Sequence, residues 1–241
     1  MRLGSAVFSL LLLATFVPPG AQAQEGGKTT ALLAVSWQPA FCETKPDKPE
    51  CKSQTAERYD ASHFTLHGLW PMRKNYCGVS QADMNADAGS KWTRLPPVTL
   101  TAETQKALEK VMPGTQSALE RHEWIKHGTC SGLEQEAYFS TAIALMDDLN
   151  GSAVAKLFAA RVGQNVTAME VQQAFDESFG KNASRRVKMR CERDGERRII
   201  TELTIGLGDT DEKADLKERI QAAGGTSFGC DQGVVDPVGL Q

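Results

Sequence analysis

The chain has 241 residues, of which 41% are hydrophobic and 24% charged, and a net charge of −3. That hydrophobic share is ample for a core. The acidic balance excludes a protein that coats polyanions indiscriminately, so any contact with nucleic acid must be local.

Residues 1–23 read as a signal peptide. Arg2 supplies the positive end, and residues 7–17 are apolar apart from Ser9 and Thr15. Pro18-Pro19-Gly20 breaks the run before an Ala21-Gln22-Ala23 cleavage site. The run is too short to span a bilayer, and no later stretch is suited to cross one. The expected product is exported, periplasmic or extracellular, with no membrane partner. Residues 24–241 show no linker, repeat or low-complexity tract and read as a single catalytic domain. Six cysteines in an exported chain read as three disulfides. Adjacency favours Cys42–Cys51 and Cys191–Cys230, which leaves Cys77–Cys130.

Residues 30–37 form an apolar, β-leaning run that predicts a buried strand ended by Gln38-Pro39. Residues 64–69 predict a second strand. Thr101 is a candidate cap for a helix through Val111, stopped by Met112-Pro113-Gly114. Residues 134–149 carry an apolar stripe of Tyr138, Phe139, Ala142, Ile143, Met146 and Leu149. Gly151-Ser152 opens a short helix, and Thr167 with Glu170 forms a capping box for a helix ending near Phe179-Gly180. Residues 186–192 and 198–205 flank Asp194-Gly195, a hairpin signal. The arginines and lysines of 185–198 read as a solvated hairpin face, with an RNA-tracking patch as the alternative. Residues 209–222 read as a charged surface loop or helix, and the tail after Cys230 carries no signal. Asn150, Asn165 and Asn182 begin glycosylation sequons, which matter only in a eukaryotic secretory host.

The four histidines fall into two clusters, each with a tryptophan. One is His63-Phe64-Thr65-Leu66-His67-Gly68-Leu69-Trp70-Pro71. The other is His122-Glu123-Trp124-Ile125-Lys126-His127-Gly128-Thr129-Cys130. We read them as two halves of one active site, and the third cysteine pair would fix one half against the other. Helical spacing places Glu123 beside His127 and His122 beside Lys126. A helix is expected to end at His127, with Gly128 in the left-handed position beyond it and Glu123 raising the basicity of His127. No metal is expected. His122 and His127 are five apart, so roughly 140° separates them around a helix. His63 and His67, on a strand, would sit about 13 Å apart. No C-x-x-C spacing occurs.

Two imidazoles from separate elements, a carboxylate and a lysine make a metal-free acid–base set suited to cleaving RNA. One group takes the proton of the ribose 2′-OH and another protonates the departing 5′-oxygen. Histidine suits both because its pKa lies near working pH. Lysine suits the charge that builds on phosphorus. Trp70 offers a base a stacking surface.

At these residues the chain resembles the ribonuclease T2 family. Residues 64–71 and 122–130 are similar to that family's two active-site segments. Ser36-Trp37-Gln38-Pro39-Ala40-Phe41-Cys42 is similar to its first strand and following cysteine, and Val111-Met112-Pro113-Gly114 to its bacterial periplasmic branch. The resemblance implies an α+β fold with a central antiparallel sheet and several packed helices. It implies cleavage of single-stranded RNA through a 2′,3′-cyclic phosphate with little base preference, without a cofactor. By position, His67, Glu123 and His127 are catalytic, with His127 as base and His67 as acid, or the reverse. Glu123 and Lys126 polarise the phosphate, and His122 binds it. His63 inherits no role. Many eukaryotic members carry an acid after the Trp-Pro where this chain has Met72, so base preference does not transfer. A non-catalytic binding relative would lack a histidine that this chain keeps. RNA is the expected partner, DNA is not, and a monomer is expected.

Overall fold

In a computed structural model that describes residues 27–211 and 213–241, the first predicted strand is β1, Thr29–Trp37. Its last five residues are buried on both faces, as a central strand requires. The signal-peptide reading of residues 1–23 lies outside the described residues. Gln38-Pro39 does more than end the strand. Pro39 opens α1, Gln38–Thr44, because a proline in the first turn has no N–H to leave unpaired. A single turn, α2, Pro49–Lys52, follows. Then come β2, Phe64–Pro71, and α3, Gln81–Ala88.

The next helices start where the sequence signals them. Thr101 caps α4, Ala102–Val111, by accepting from the N–H of Thr104 at 3.2 Å. Helix α5 is Leu119–Lys126 and α6 is Gln135–Asn150. Ser152 caps α7, Ala153–Ala160. After β3, Asn165–Thr167, the Thr167–Glu170 capping box starts α8, Ala168–Phe179. The hairpin is β4, Val187–Asp194, and β5, Arg197–Gly208. Residues 209–222 are more than a charged surface. Asp215 and Glu218 box the start of α9, Leu216–Ala222, which buries Leu216 and Ile220. The tail is also structured: it supplies β6, Gln232–Val234, and buries Val235 and Asp236.

The fold is α+β. The strands form one six-stranded sheet in the order β2-β1-β5-β6-β3, with β4 also on β5. Every named pairing is antiparallel except β5 with β6, which join in parallel at Ile199 and Val234. Trp37, Phe64 and Phe158 meet at ring-centroid distances of 4.7–5.6 Å and centre the core. Helix α6 lays Tyr138, Phe139, Ala142, Met146 and Leu149 into the same core. Tyr138 also donates to the carbonyl of Leu69 at 2.7 Å, which pins β2 from behind. The cysteines pair as Cys42–Cys51, Cys77–Cys130 and Cys191–Cys230.

Two cations of the 185–198 stretch are structural. Arg186 is buried and donates to the carbonyls of Asn182 and Ala223. Arg197 binds Asp236, Glu43 and Asp194. Lys188, Arg190, Arg193 and Arg198 remain exposed. Asn150 is also occupied: its side chain exchanges two hydrogen bonds with the backbone of Phe64.

Candidate active site

The site begins with an irregularity in β2. Ala34 faces Gly68 and Val35 faces Leu66, which leaves His67 as an extra residue with no partner on β1. A bulge of this kind bends a strand and re-aims a side chain. His67 Nδ1–H donates to Glu202 Oε2 at 2.9 Å, and its Nε2 lies 3.9 Å from Glu123 Oε1. Glu202 comes from β5, two strands away. Gly68 is required by what crosses it. The Trp70 indole N–H donates to Glu123 Oε2 at 2.7 Å, and a Cβ on Gly68 would fall 1.9 Å from that same oxygen.

Helix α5 brings Glu123 and Lys126, and His127 is its C-cap residue. The expected left-handed Gly128 is not found. The residue lies in a 3-10 turn, Gly128–Cys130, and has no positive φ. A Cβ there would strike the Trp124 ring at 2.3 Å, so close packing explains the glycine. Glu123 is also turned away from the expected partnership with His127. One of its oxygens holds Trp70. The other, Oε1, has no hydrogen bond and lies between His67 Nε2 and His122 Nε2, at 3.9 and 3.7 Å. The Trp70 ring is wedged between the two imidazoles, 5.1 Å from His67 and 5.3 Å from His127.

The two histidines differ in proton affinity. Burial pushes the His67 pKa down, but the Glu202 hydrogen bond and the charges of Glu123 and Glu202 outweigh it, so His67 titrates above the usual range. His127 has no such help. Burial and the charges of Lys126, His122 and His67 lower it to about 3, and its Nδ1 is buried without a partner. Glu123 is 1% exposed. Burial raises it to about 7, against the pull of His67, Trp70 and Lys126. These are the opposed shifts by which one site holds an acid and a base at the same pH.

His122 is held from the segment between β2 and α4. Its Nδ1–H donates to Asp87 Oδ1 at 2.6 Å, and its ring stacks on Trp92 at 4.5 Å. Tyr76 donates to the other oxygen of Asp87 at 2.7 Å. Burial lowers the His122 pKa despite Asp87. The Lys126 charge bears on His67, His122, His127 and Glu123 alike. The Cys77–Cys130 bond ties this segment to the end of the histidine helix. His63 stands apart, stacked on Tyr59 at 4.0 Å and bonded to its carbonyl at 2.9 Å. Among the described residues no group of three or more His, Cys, Asp or Glu is arranged to hold a metal.

Sequence reasoning missed Glu202, Asp87 and Trp92. Glu202 left a trace: it is the one carboxylate in the otherwise apolar and threonine run of residues 199–205. Asp87 left none, because α3 is a polar helix that carries a second acid, Asp83.

Comparison with known proteins gives the chain's family. The chain matches the model of the Ribonuclease T2 family over residues 28–219. It is 31% identical to Ribonuclease I of Escherichia coli over 76% of each chain. It is 29% identical to Ribonuclease 1 of Arabidopsis thaliana over 66% of each. Among solved structures, an RNase MC1 mutant in complex with 5′-UMP superposes with a TM-score of 0.55 at 19% identity, over 86% of this chain and 98% of that one. RNase NT in complex with 5′-AMP gives 0.55 at 18% identity, over 87% and 98%. These likenesses are to the fold, whereas the sequence matches carry the family: the chain belongs to the ribonuclease T2 family and is a T2-type endoribonuclease.

Proposed function

We propose that the chain is an exported enzyme that cleaves single-stranded RNA next to any base by metal-independent transesterification. In this reading residues 1–23 are a signal peptide and 24–241 a single catalytic domain acting as a monomer. The observation that carries the mechanism is the contrast between His67 and His127 on either side of Trp70. At neutral pH His127 is unprotonated and takes the proton of the 2′-OH. The 2′-oxygen bonds to phosphorus, the bond from phosphorus to the 5′-oxygen breaks, and His67 protonates that oxygen. The products are a 2′,3′-cyclic phosphate and a free 5′-OH. Each transfer contributes roughly 10²–10⁴-fold.

Glu123, with a pKa near the working pH, offers its unbonded Oε1 to a phosphoryl oxygen as a proton donor. Lys126 adds fixed positive charge, which counts most as charge builds on phosphorus. His122 binds phosphate, since an arriving anion favours its protonated form. Trp70 serves this reading better as a clamp than as a stacking platform for a base, because its ring already lies against two imidazoles. Glu202 orients His67 and keeps it charged.

The test is cleavage in EDTA. The expected result is cleavage of single-stranded RNA, a 2′,3′-cyclic end on a dinucleotide, and intact DNA. Comparable cleavage of DNA, or loss of activity in EDTA that zinc restores, would sink the proposal.

A further inference from the structure

A cavity of about 210 Å³ opens beside His67. Glu50 of α2 lines it and is 2% exposed. Its Oε1 accepts from the Ser117 hydroxyl at 3.0 Å, and its Oε2 has no partner. The nearby Arg58 donates to the Glu50 carbonyl at 3.0 Å and gives its other bonds to Ser53 and Asp60, so it does not neutralise the carboxylate. A buried acceptor left open is costly unless something fills it. Phe41, Lys45 and Lys48 line the same cavity, and the Lys48 ammonium lies 4.6 Å over the ring of Trp92.

We propose that Glu50 reads guanine here, as the base of the nucleoside that departs when RNA is cut. This rests on the acid–base reading above. His67 lines the cavity and is assigned the proton for the departing 5′-oxygen, so the base next to that oxygen is the one within reach. Guanine alone sets two adjacent donors, ring N1–H and exocyclic N2–H, toward a carboxylate. A turn of the Glu50 side chain, whose Oε2 is sealed in the free chain, lets them meet Oε2 and the remaining lone pair of Oε1. The acceptors O6 and N7 suit Lys45 and Lys48. Adenine and cytosine each place a ring acceptor beside their amino group, and uracil places carbonyls on both sides of its single N–H. Each turns an acceptor toward Glu50. All four bases are accommodated, but guanine is cut fastest.

The experiment measures kcat/KM in EDTA for the dinucleotides UpG, UpA, UpC and UpU, and for UpI, whose inosine lacks the N2 amino group. With the native enzyme, UpG should lead UpA, UpC and UpU by about tenfold or more, the usual worth of one charge-assisted hydrogen bond. UpI should fall between them. In Glu50→Gln the lead should shrink to within about threefold, because the amide turns a donor toward the base. Equal rates on all substrates in the native enzyme would overturn the inference while leaving the ribonuclease reading intact. So would an undiminished guanine lead in the variant. Failure to cut any of the five would remove the reading and the inference together. Should the variant not fold, calorimetry on the native protein decides. Binding of 5′-GMP about tenfold tighter than 5′-AMP supports the inference, and equal affinity refutes it.

Discussion

The two sides of β2 obey different rules. Behind the strand, Phe64 packs on Trp37 and Phe158, the Tyr138 hydroxyl donates to the Leu69 carbonyl and the Trp37 indole N–H to the Asp236 carbonyl. In front, His67 stands on a bulge three residues from Phe64, and across from it Glu123 is buried with an open oxygen and His127 with an open nitrogen. The polar groups named in the back layer are bonded, and the layer supplies stability. The front layer leaves Glu123 and His127 unsatisfied, and those are groups that the proposed chemistry uses. Buried polar atoms without partners cost stability, so the rigid back layer is what keeps the front one in place.

The strongest way to break the contrast is to exchange effects between the layers. His67→Phe and His127→Phe keep a ring at each position and remove the proton transfer. Each should lower kcat by about 10²–10⁴-fold, with circular dichroism and melting close to native. A folded His127→Phe enzyme with near-normal kcat would end the acid–base scheme. Phe158→Ala should do the opposite. It empties a fully buried site and should cost about 3–5 kcal/mol in denaturant unfolding, with kcat per folded molecule unchanged. A drop in kcat without a drop in stability would mean that the layers are not separable.

The contrast sharpens at Glu202, which belongs to the sheet but serves the front layer. Glu202→Gln keeps an acceptor for His67 Nδ1–H and removes the charge that raises the His67 pKa. His67 must be protonated to act as acid, so beside a separate fall near pH 7 as Glu123, the other proton donor, ionises, kcat/KM falls as pH rises through the His67 pKa. In the variant that alkaline limb should move to lower pH, with kcat at neutral pH down about tenfold. The limb on the acid side, set by His127, should stay. A role confined to packing would lower activity at all pH values and leave both limbs in place.

The difference between the layers also decides what was legible in the sequence. The back layer is local in origin. Apolar periodicity gave α6, and Thr101, Ser152 and Thr167 each cap the helix that they precede. The front layer is built from partners far apart in the chain. The nine-residue motif announced Glu123 and His127, but helical spacing paired them, whereas the fold turns Glu123 to Trp70, 53 residues away. Glu202 lies 135 residues from His67 and Asp87 lies 35 from His122, and no spacing rule reaches so far. Gly128 was legible as special but for the wrong reason: a ring crosses it, and no turn demands it. Likewise β6 pairs antiparallel with β3 and joins β5 in parallel at one residue, distant partners that a three-residue strand cannot advertise by itself.

The smallest effect, and the finest test of the cost of the front layer, is the stability of Glu123→Gln. Burial raises the Glu123 carboxyl from 4.5 to about 7 in the folded chain. Between those values the folded protein holds a proton that the unfolded chain has released. The stability tied to that proton is complete below pH about 4.5 and is lost as pH rises through the folded pKa. At most this amounts to ~3 kcal/mol, since one pKa unit corresponds to about 1.4 kcal/mol. Glutamine has nothing to titrate and keeps an oxygen for the Trp70 N–H. The variant should therefore unfold at higher denaturant than the native protein at pH 8, by ~1–3 kcal/mol, and with little difference at pH 4.5. His67 retains Glu202 in both proteins, so most of its own pH dependence cancels in the comparison. Activity should fall, because the donor to the phosphoryl oxygen is gone. A variant less stable than native at pH 8 would show that Glu123 holds the site together more than burial opposes it, and the division between a stabilising layer and a costly one would fail at its central residue.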